Sequence, residues 1–208
     1  LHNDHDIQFD QGESNTRQQV LALALEATLG PDWQHRVTLG GSRDRLDTPD
    51  SFTRYHSQRE QADWQHHLAS DRGDALTLGL SWLHERGRQH DSLAGSDVYA
   101  QSRHTASAFA AWQRRVGTHA LELSGRYDDN SAYGSESSFG ASWGWELGQR
   151  LRLTTSWGQG FRAPTMNELY SPGWGGWYGG NPALHAEHSD STELGLHWDL
   201  QTAGQLGL

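Results

Sequence analysis

Residues 139–157 read FGASWGWELGQRLRLTTSW and contain two apolar–polar alternations separated by a short turn. In the first alternation the odd-numbered positions are Phe, Ala, Trp, Trp and Leu, and the even-numbered positions between them are Gly, Ser, Gly and Glu. After Gly148-Gln149, leucines and a tryptophan alternate with Arg, Thr and Ser. Because successive side chains of a β-strand point to opposite faces, this stretch predicts a β-hairpin with one apolar and one polar face.

The same alternation recurs in both directions along the chain and predicts about nine strands of roughly ten residues each. Short turns are expected at 30–32, 71–74, 116–117 and 148–149. Longer polar segments, which we expect to be loops, are found at about 42–53, 85–101, 129–136 and 161–188. Short turns therefore alternate with long loops, as they do in outer-membrane barrels.

The fold class predicted by this layout is all-β, an antiparallel transmembrane β-barrel segment with too few strands to close. About ten tilted residues span a bilayer, whereas strands of a soluble sandwich are usually about five or six residues long. The mean hydropathy of −0.81 does not oppose a barrel, since only every second side chain faces lipid. A soluble β-sandwich that binds a ligand remains an alternative.

The faces of the strands give residue-level expectations. We expect these side chains to face lipid: Leu21, Leu23, Leu78, Leu80, Leu121, Leu123, Trp143 and Leu196. We expect these to face the lumen: Glu26, Arg36, Glu122, Arg126, Glu146, Arg152 and Glu193. Trp33, Trp112 and Trp198 lie beside short turns and Trp157 lies near a long loop, which is where aromatic girdles occur.

Charge and composition exclude several other functions. The formal net charge of −10 disfavours nucleic acid as a partner, because phosphate binding requires clustered basic residues. There is no cysteine, and the 13 histidines show no spacing typical of a metal site. Asp128-Asp129 and Glu187 lack an accompanying nucleophile and base, so we expect no enzyme.

Two motifs flank the longest loop. The first is GQGFRAPTMNELY at 158–170, and the second is GNPALHAEHS at 180–189, followed by Glu193-Leu194-Gly195. Together they resemble the barrel of TonB-dependent receptors, in which a Gly-aromatic-basic-Ala-Pro run precedes a loop and a GNP segment follows it. Ala186 departs from the family pattern, which commonly has Pro there. Pro164 cannot donate to a ladder, so we interpret both motifs as architectural.

Within this family the resemblance is greatest to receptors for cobalamin, through SGRYDDNS at 124–131 and SWGWE at 142–146. The resemblance implies uptake of a scarce nutrient across the outer membrane of a Gram-negative bacterium, powered through TonB. Residues 1–208 would be part of the barrel, with the plug domain and the C-terminal strands outside this sequence. A siderophore receptor of the same class, or a passive outer-membrane channel, remains an alternative.

Two sets of site residues are expected, one from the composition of the longest loop and one from the resemblance. Aromatic side chains among the glycines of the longest loop suit a flat, largely apolar ligand with polar edges, and the candidates are Tyr170, Trp174, Trp177 and Tyr178. Cobalamin receptors bind Ca²⁺ through oxygen ligands of extracellular loops, and Asp4 and Asn15 fall at matching positions. No other cofactor is expected.

Overall fold

The computed structural model describes residues 13–172 and 179–199, together with the backbone of 205–207. Ten strands are found there: β1 (Asn15–Gly30), β2 (Trp33–Thr48), β3 (Thr53–Ala69), β4 (Asp74–Asp91), β5 (Ser96–Val116), β6 (His119–Asn130), β7 (Gly134–Glu146), β8 (Leu151–Arg162), β9 (Glu187–Asp199) and β10 (Gln205–Gly207). Helix α1 (Met166–Tyr170) lies between β8 and β9, and a 3-10 turn (Pro49–Ser51) joins β2 to β3. No helix in these ranges is long and apolar enough to cross a membrane.

All ten strands belong to one antiparallel sheet, in which the spatial order of the strands is their order in the sequence. The all-β antiparallel prediction is therefore confirmed. Each predicted short turn lies between two paired strands. Gly117 and Gly148 have φ values of 57° and 94°, a backbone region that glycine enters without steric cost.

The strands are longer than the alternation predicted. β1 to β9 contain 12–21 residues each, and the ladders continue to pairs such as Thr48–Thr53 and Asn130–Gly134. The interpretation of 42–53, 85–101 and 129–136 as loops was therefore wrong. Outside lipid both faces of a strand are polar, so backbone pairing continues after the hydrophobic alternation has ended. Among the connections between β1 and β9, only 163–186 is long, and its described part contains a helix that was not predicted.

The register places the expected lipid-facing and lumen-facing side chains on opposite faces of the sheet. On the apolar face, Leu39, Ala62, Trp82 and Ala106 form one row across β2 to β5. On the polar face, Glu26 pairs with Arg36 across β1 and β2. Large apolar residues are exposed, as illustrated by Leu21 at 79%. Buried apolar residues are instead Tyr99, Leu169 and Ala186, on or beside the connection that contains α1.

Tryptophans near the short turns make hydrogen bonds to histidines on the apolar face. Trp33 donates its indole N–H to His66 Nδ1 at 3.0 Å, and Trp143 donates to His119 Nδ1 at 3.2 Å. These partners satisfy the only polar atom of the indole ring. Such a side chain, apolar with one satisfied polar edge, fits the boundary between hydrocarbon and water.

Candidate functional site

Helix α1 folds back over the polar face, at the end of the sheet opposite the turns near 30–32, 71–74, 116–117 and 148–149, which are the short turns predicted from the sequence. The Tyr99 hydroxyl donates to Asn167 Oδ1 at 2.6 Å. Arg103 Nη1 donates to the Pro164 carbonyl oxygen at 2.7 Å. Gly87 permits this close approach, because a Cβ there would lie 3.1 Å from Met166 Sδ. The first part of the 163–186 connection is thus fastened to β4 and β5.

A capping box begins α1. The Thr165 hydroxyl accepts from the Glu168 backbone N–H at 3.2 Å, and Glu168 Oε2 accepts from the Thr165 backbone N–H at 2.7 Å. The backbone N–H of Thr165, its side chain and then Arg162 hold the pKa of Glu168 below the ordinary value of 4.5. A five-residue helix is unstable in isolation, so these caps and the packing of buried Leu169 maintain it.

Arg162 connects the two ends of the long connection. Its Nη2 donates to Glu187 at 2.8 Å, on the neighbouring strand, and its Nη1 donates to Glu168 at 3.0 Å. One guanidinium therefore joins β8, β9 and α1. Arg162 and Glu187 are exposed and Glu168 is half-buried, so the network fixes the geometry of the start of the connection more than it adds to the free energy of unfolding.

A cleft of about 520 Å³ lies between α1 and strands β2 to β5. Its lining combines aromatic and aliphatic side chains with charged ones, among them Leu46, Tyr55, Arg59, Glu85, Tyr99 and Met166. Gln89 pairs with Tyr99 across β4 and β5, and its buried Oε1 has no hydrogen-bond partner within the described part of the chain. A mostly apolar cleft with a few polar groups is the usual form of a small-molecule site.

Beside this cleft the polar face carries a buried hydrogen-bond network. Asp128, only 4% exposed, accepts from Ser107 Oγ at 2.6 Å and from Arg126 at 2.8 Å. Arg103 donates to Glu85 at 2.7 Å, and its guanidinium carbon lies 5.6 Å from the centre of the Tyr133 ring. Satisfied buried networks rigidify their surroundings. The strands on one side of the cleft are therefore rigid, whereas the other side is formed by the connection that contains α1.

The site residues expected from the sequence are only partly within the described ranges. Tyr170 ends α1 and is half-buried, with its ring centre 6.4 Å from that of Tyr99. Trp174, Trp177 and Tyr178 lie outside the described residues.

The expected calcium ligands are also divided between described and undescribed residues. Asp4 lies outside the described ranges. Asn15 begins β1, pairs with Asp47 in the register and donates to Glu13 Oε1 at 3.1 Å. Residues 13–172 and 179–199 contain no group of three or more His, Asp or Glu side chains arranged to hold a metal.

The sequence analysis missed Tyr99, Arg103 and Glu85, because they fall in or beside a segment interpreted as a loop. The register now places them on the polar face beside α1. Thr165 and Glu168 have the spacing of a capping box directly after Pro164, which would have indicated a helix start.

Comparison with known proteins agrees with the geometry. A family model described as "TonB dependent receptor-like, beta-barrel" matches residues 2–208. The vitamin B12 transporter BtuB of Photobacterium profundum is 25% identical over 197 residues, which cover 93% of this chain and 31% of that protein. The vitamin B12 transporter BtuB of Vibrio vulnificus is 30% identical over 145 residues, covering 69% and 22%. The chain spans less than a third of the length of these relatives.

Among solved structures, the siderophore receptor PirA of Acinetobacter baumannii superposes with a TM-score of 0.69. The two are 18% identical, and the match covers 89% of this chain and 33% of PirA. At that identity the likeness concerns the fold alone: an antiparallel sheet that matches about a third of the PirA chain.

Proposed function

Because this chain belongs to the TonB dependent receptor-like β-barrel family, we propose that it forms part of an outer-membrane importer for cobalamin. The family consists of receptors and transporters of the Gram-negative outer membrane. Energy would be delivered through TonB, acting on a plug domain that lies outside residues 1–208. Cobalamin, TonB and outer-membrane lipid are then the partners of the complete receptor.

The observation that carries the proposal is the arrangement at the end of the polar face that α1 covers. A long connection begins there with a helix held by Tyr99, Arg103 and Arg162, above a cleft of about 520 Å³. An importer needs a ligand site that faces the outside and leads into the lumen. A firm wall on one side and a loop on the other meet that requirement.

The proposal of cobalamin rests on the curated relatives and on the chemistry of the loop. Both named relatives are vitamin B12 transporters, at 25% and 30% identity. Cobalamin offers a flat, largely apolar ring system with amide edges. Tyr170, Trp174, Trp177 and Tyr178 are stiff amphipathic side chains that would contact such a ring at little entropic cost.

The test is cobalamin binding to cells that carry the complete receptor, comparing the wild type with Trp174→Ala and Trp177→Ala. We expect at least one change to weaken binding about tenfold, which corresponds to about 1.4 kcal/mol. Leu93→Ala is the matched control, since Leu93 is 75% exposed in the β4–β5 turn at the same end of the sheet. Surface expression should be equal in all four.

Three outcomes separate the parts of this proposal. If the wild type binds a ferric siderophore and not cobalamin, the importer class stands and the substrate is wrong. If the complete receptor conducts small solutes without TonB and binds neither ligand, a passive channel is the better description. If both variants change binding by less than about 0.5 kcal/mol, the loop aromatics do not hold the ligand.

The same binding assay also tests a calcium site. We propose that Asp4 and Asn15 contribute oxygen ligands to a weak Ca²⁺ site in the complete receptor, with further oxygens from neighbouring loops. Chelating Ca²⁺ should then weaken cobalamin binding, and Asn15→Ala should remove that dependence. Binding that is indifferent to the chelator, together with no heat of Ca²⁺ binding in calorimetry, would end this part of the proposal.

A further inference from the structure

The outward-facing side of β1 to β4 changes character along the strands. Near the short turns it is apolar, with rows such as Val37, Trp64 and Leu80. Towards the opposite end the same face becomes strongly basic. We use the term basic patch for the six arginines found there, which are Arg17, Arg43, Arg45, Arg54, Arg86 and Arg88. All six are exposed, in a chain whose formal net charge is −10.

The register brings these positive charges directly beside one another. Arg17 on β1 is opposite Arg45 on β2, and Arg45 is opposite His56 on β3. His56 is in turn opposite Arg88 on β4. Like charges that face each other across strands are unfavourable unless an anion lies between them. One row of four neighbouring strands thus presents three guanidinium groups and an imidazole.

Carboxylates on the same face neutralise only part of the patch. Asp47 accepts from Arg45 at 2.9 Å and from Arg54 at 2.6 Å. Asp97 accepts from Arg88 at 2.8 Å. The remaining three arginines of the patch, which are Arg17, Arg43 and Arg86, have no ion pair with any residue in 13–172 or 179–199.

The position of the basic patch along the strands indicates which layer of the membrane it contacts. Arg43 lies ten residues beyond Trp33, where β2 begins, and Arg86 lies twelve residues beyond Asp74, where β4 begins. A tilted strand crosses the hydrocarbon region in about 9–11 residues. The patch therefore begins where the hydrocarbon ends, on the side of the barrel that contacts lipid rather than the lumen. This level contains the head groups of the outer leaflet.

We propose that the basic patch binds the phosphate groups of a phosphorylated glycolipid in the outer leaflet of the outer membrane. One guanidinium group can donate two parallel hydrogen bonds to two oxygens of a phosphate. Several arginines on one sheet therefore suit a head group with more than one phosphate. The patch is continuous with the apolar band below it, so the acyl chains and the phosphates of one lipid contact the same wall. The inference rests on the proposed outer-membrane location and is independent of the imported nutrient.

The test uses the complete receptor purified in a neutral detergent, with lipid A carrying two phosphates as the probe. Bound lipid is counted by native mass spectrometry across a titration. We expect Arg17→Gln/Arg43→Gln, called the patch variant below, to weaken binding at least tenfold, because it removes two unpaired arginines of the patch that do not line the cleft beneath α1. Lipid A stripped of its phosphates should bind the wild type at least tenfold more weakly. Inorganic phosphate at millimolar concentration should not displace the lipid.

Arg36→Gln/Arg152→Gln is the matched control, since it removes the same charge from the polar face of the sheet. Equal lipid A binding by the wild type and the patch variant would overturn the proposal, as would equal losses in the patch variant and the control. Displacement by inorganic phosphate would show a free anion site instead. If the patch variant keeps lipid A but loses binding of polyglutamate, the partner is an acidic polypeptide. Cobalamin binding should be unchanged in the patch variant, which separates this test from the previous one.

Discussion

Gly79 lies under the ring of Phe109 on the polar face, in neighbouring positions of β4 and β5. A Cβ at Gly79 would come within 2.2 Å of the Phe109 ring. The guanidinium carbon of Arg126, on the next strand, lies 5.8 Å from the centre of that ring, so a Cβ at Gly79 would push the ring out of this contact. Glycine is required here for close packing rather than for a special backbone angle.

Gly79→Ala should therefore lower the free energy of unfolding of the complete receptor by about 1–3 kcal/mol, the usual cost of overpacking. Phe109→Leu in the same chain should restore most of the loss, because it removes the atoms that clash. Gly30→Ala is the control, since a Cβ there meets no atom within 4 Å. Urea unfolding in lipid vesicles measures all four. A Gly79→Ala receptor as stable as the wild type would contradict this packing argument.

The stability of α1 is expected to depend on pH through Glu168. The Thr165 backbone N–H, the Thr165 side chain and Arg162 favour its ionised form, so its folded pKa is depressed below 4.5. A depressed carboxyl pKa stabilises the fold above the unfolded value, and that contribution is lost as the pH falls through the folded pKa. The hydrogen bond from the Leu169 amide to the Thr165 carbonyl, at 3.1 Å, reports on this helix.

We expect hydrogen exchange of the Leu169 amide, corrected for its intrinsic pH dependence, to stay constant between about pH 7 and pH 5 and to accelerate below about pH 4.5. Glu168→Gln should exchange faster at neutral pH and lose the acid-dependent change. Glu193→Gln, a carboxylate of the same face on β9, serves as the control. Acceleration that begins well above pH 5 would assign the effect to another group.

For the strands, the sequence predicted which segments form strands, and on which face each side chain lies, better than it predicted where the strands end. The alternation at 76–82 and 106–112 placed β4 and β5 correctly, because lipid demands an apolar residue at every second position. Beyond the lipid that demand ends. Asp47 there pairs with Arg45 and Arg54, and such polar cross-strand contacts have no simple periodicity. The ends of β2 to β5 were therefore not readable from hydrophobic pattern.

The candidate site was less predictable for a related reason. Tyr99, Arg103 and Asn167 are separated by up to 68 residues and meet only because the register and α1 bring them together. No local pattern contains that information. The motif at 158–170 includes the segment that forms α1, and the capping residues within it could have indicated the helix.

The alternation itself makes a quantitative prediction about β6. Leu123 is on the apolar face and Ser124 on the polar face, in adjacent positions of one strand. Leu123→Arg should cost the complete receptor about 2–4 kcal/mol in a lipid bilayer, because it places a charge against hydrocarbon. Ser124→Arg should cost much less. Unfolding from vesicles measures both, and equal losses of stability would mean that the two faces were assigned wrongly.

At the scale of the whole sheet, the described strands leave both outer edges without a partner strand. β1 is exposed along nearly all of its 16 residues, and the last described strand contributes only Gln205–Gly207. In hydrocarbon an unpaired edge leaves backbone groups unsatisfied, at several kcal/mol each. About 22 strands close a barrel that holds a plug. These residues therefore acquire their stable environment only within the complete receptor.

The sequential order of the strands also bears on how the wall assembles. Most hairpins of this sheet are closed by connections of two to four residues, so each new contact joins segments that are already close along the chain. The entropy lost in forming each such contact is small, and topologies rich in local contacts fold quickly. Growth can proceed by adding one hairpin at a time to the most recent edge. In a closed barrel the seam between the first and last strands would join residues far apart in the chain, and we expect the slow step of assembly there.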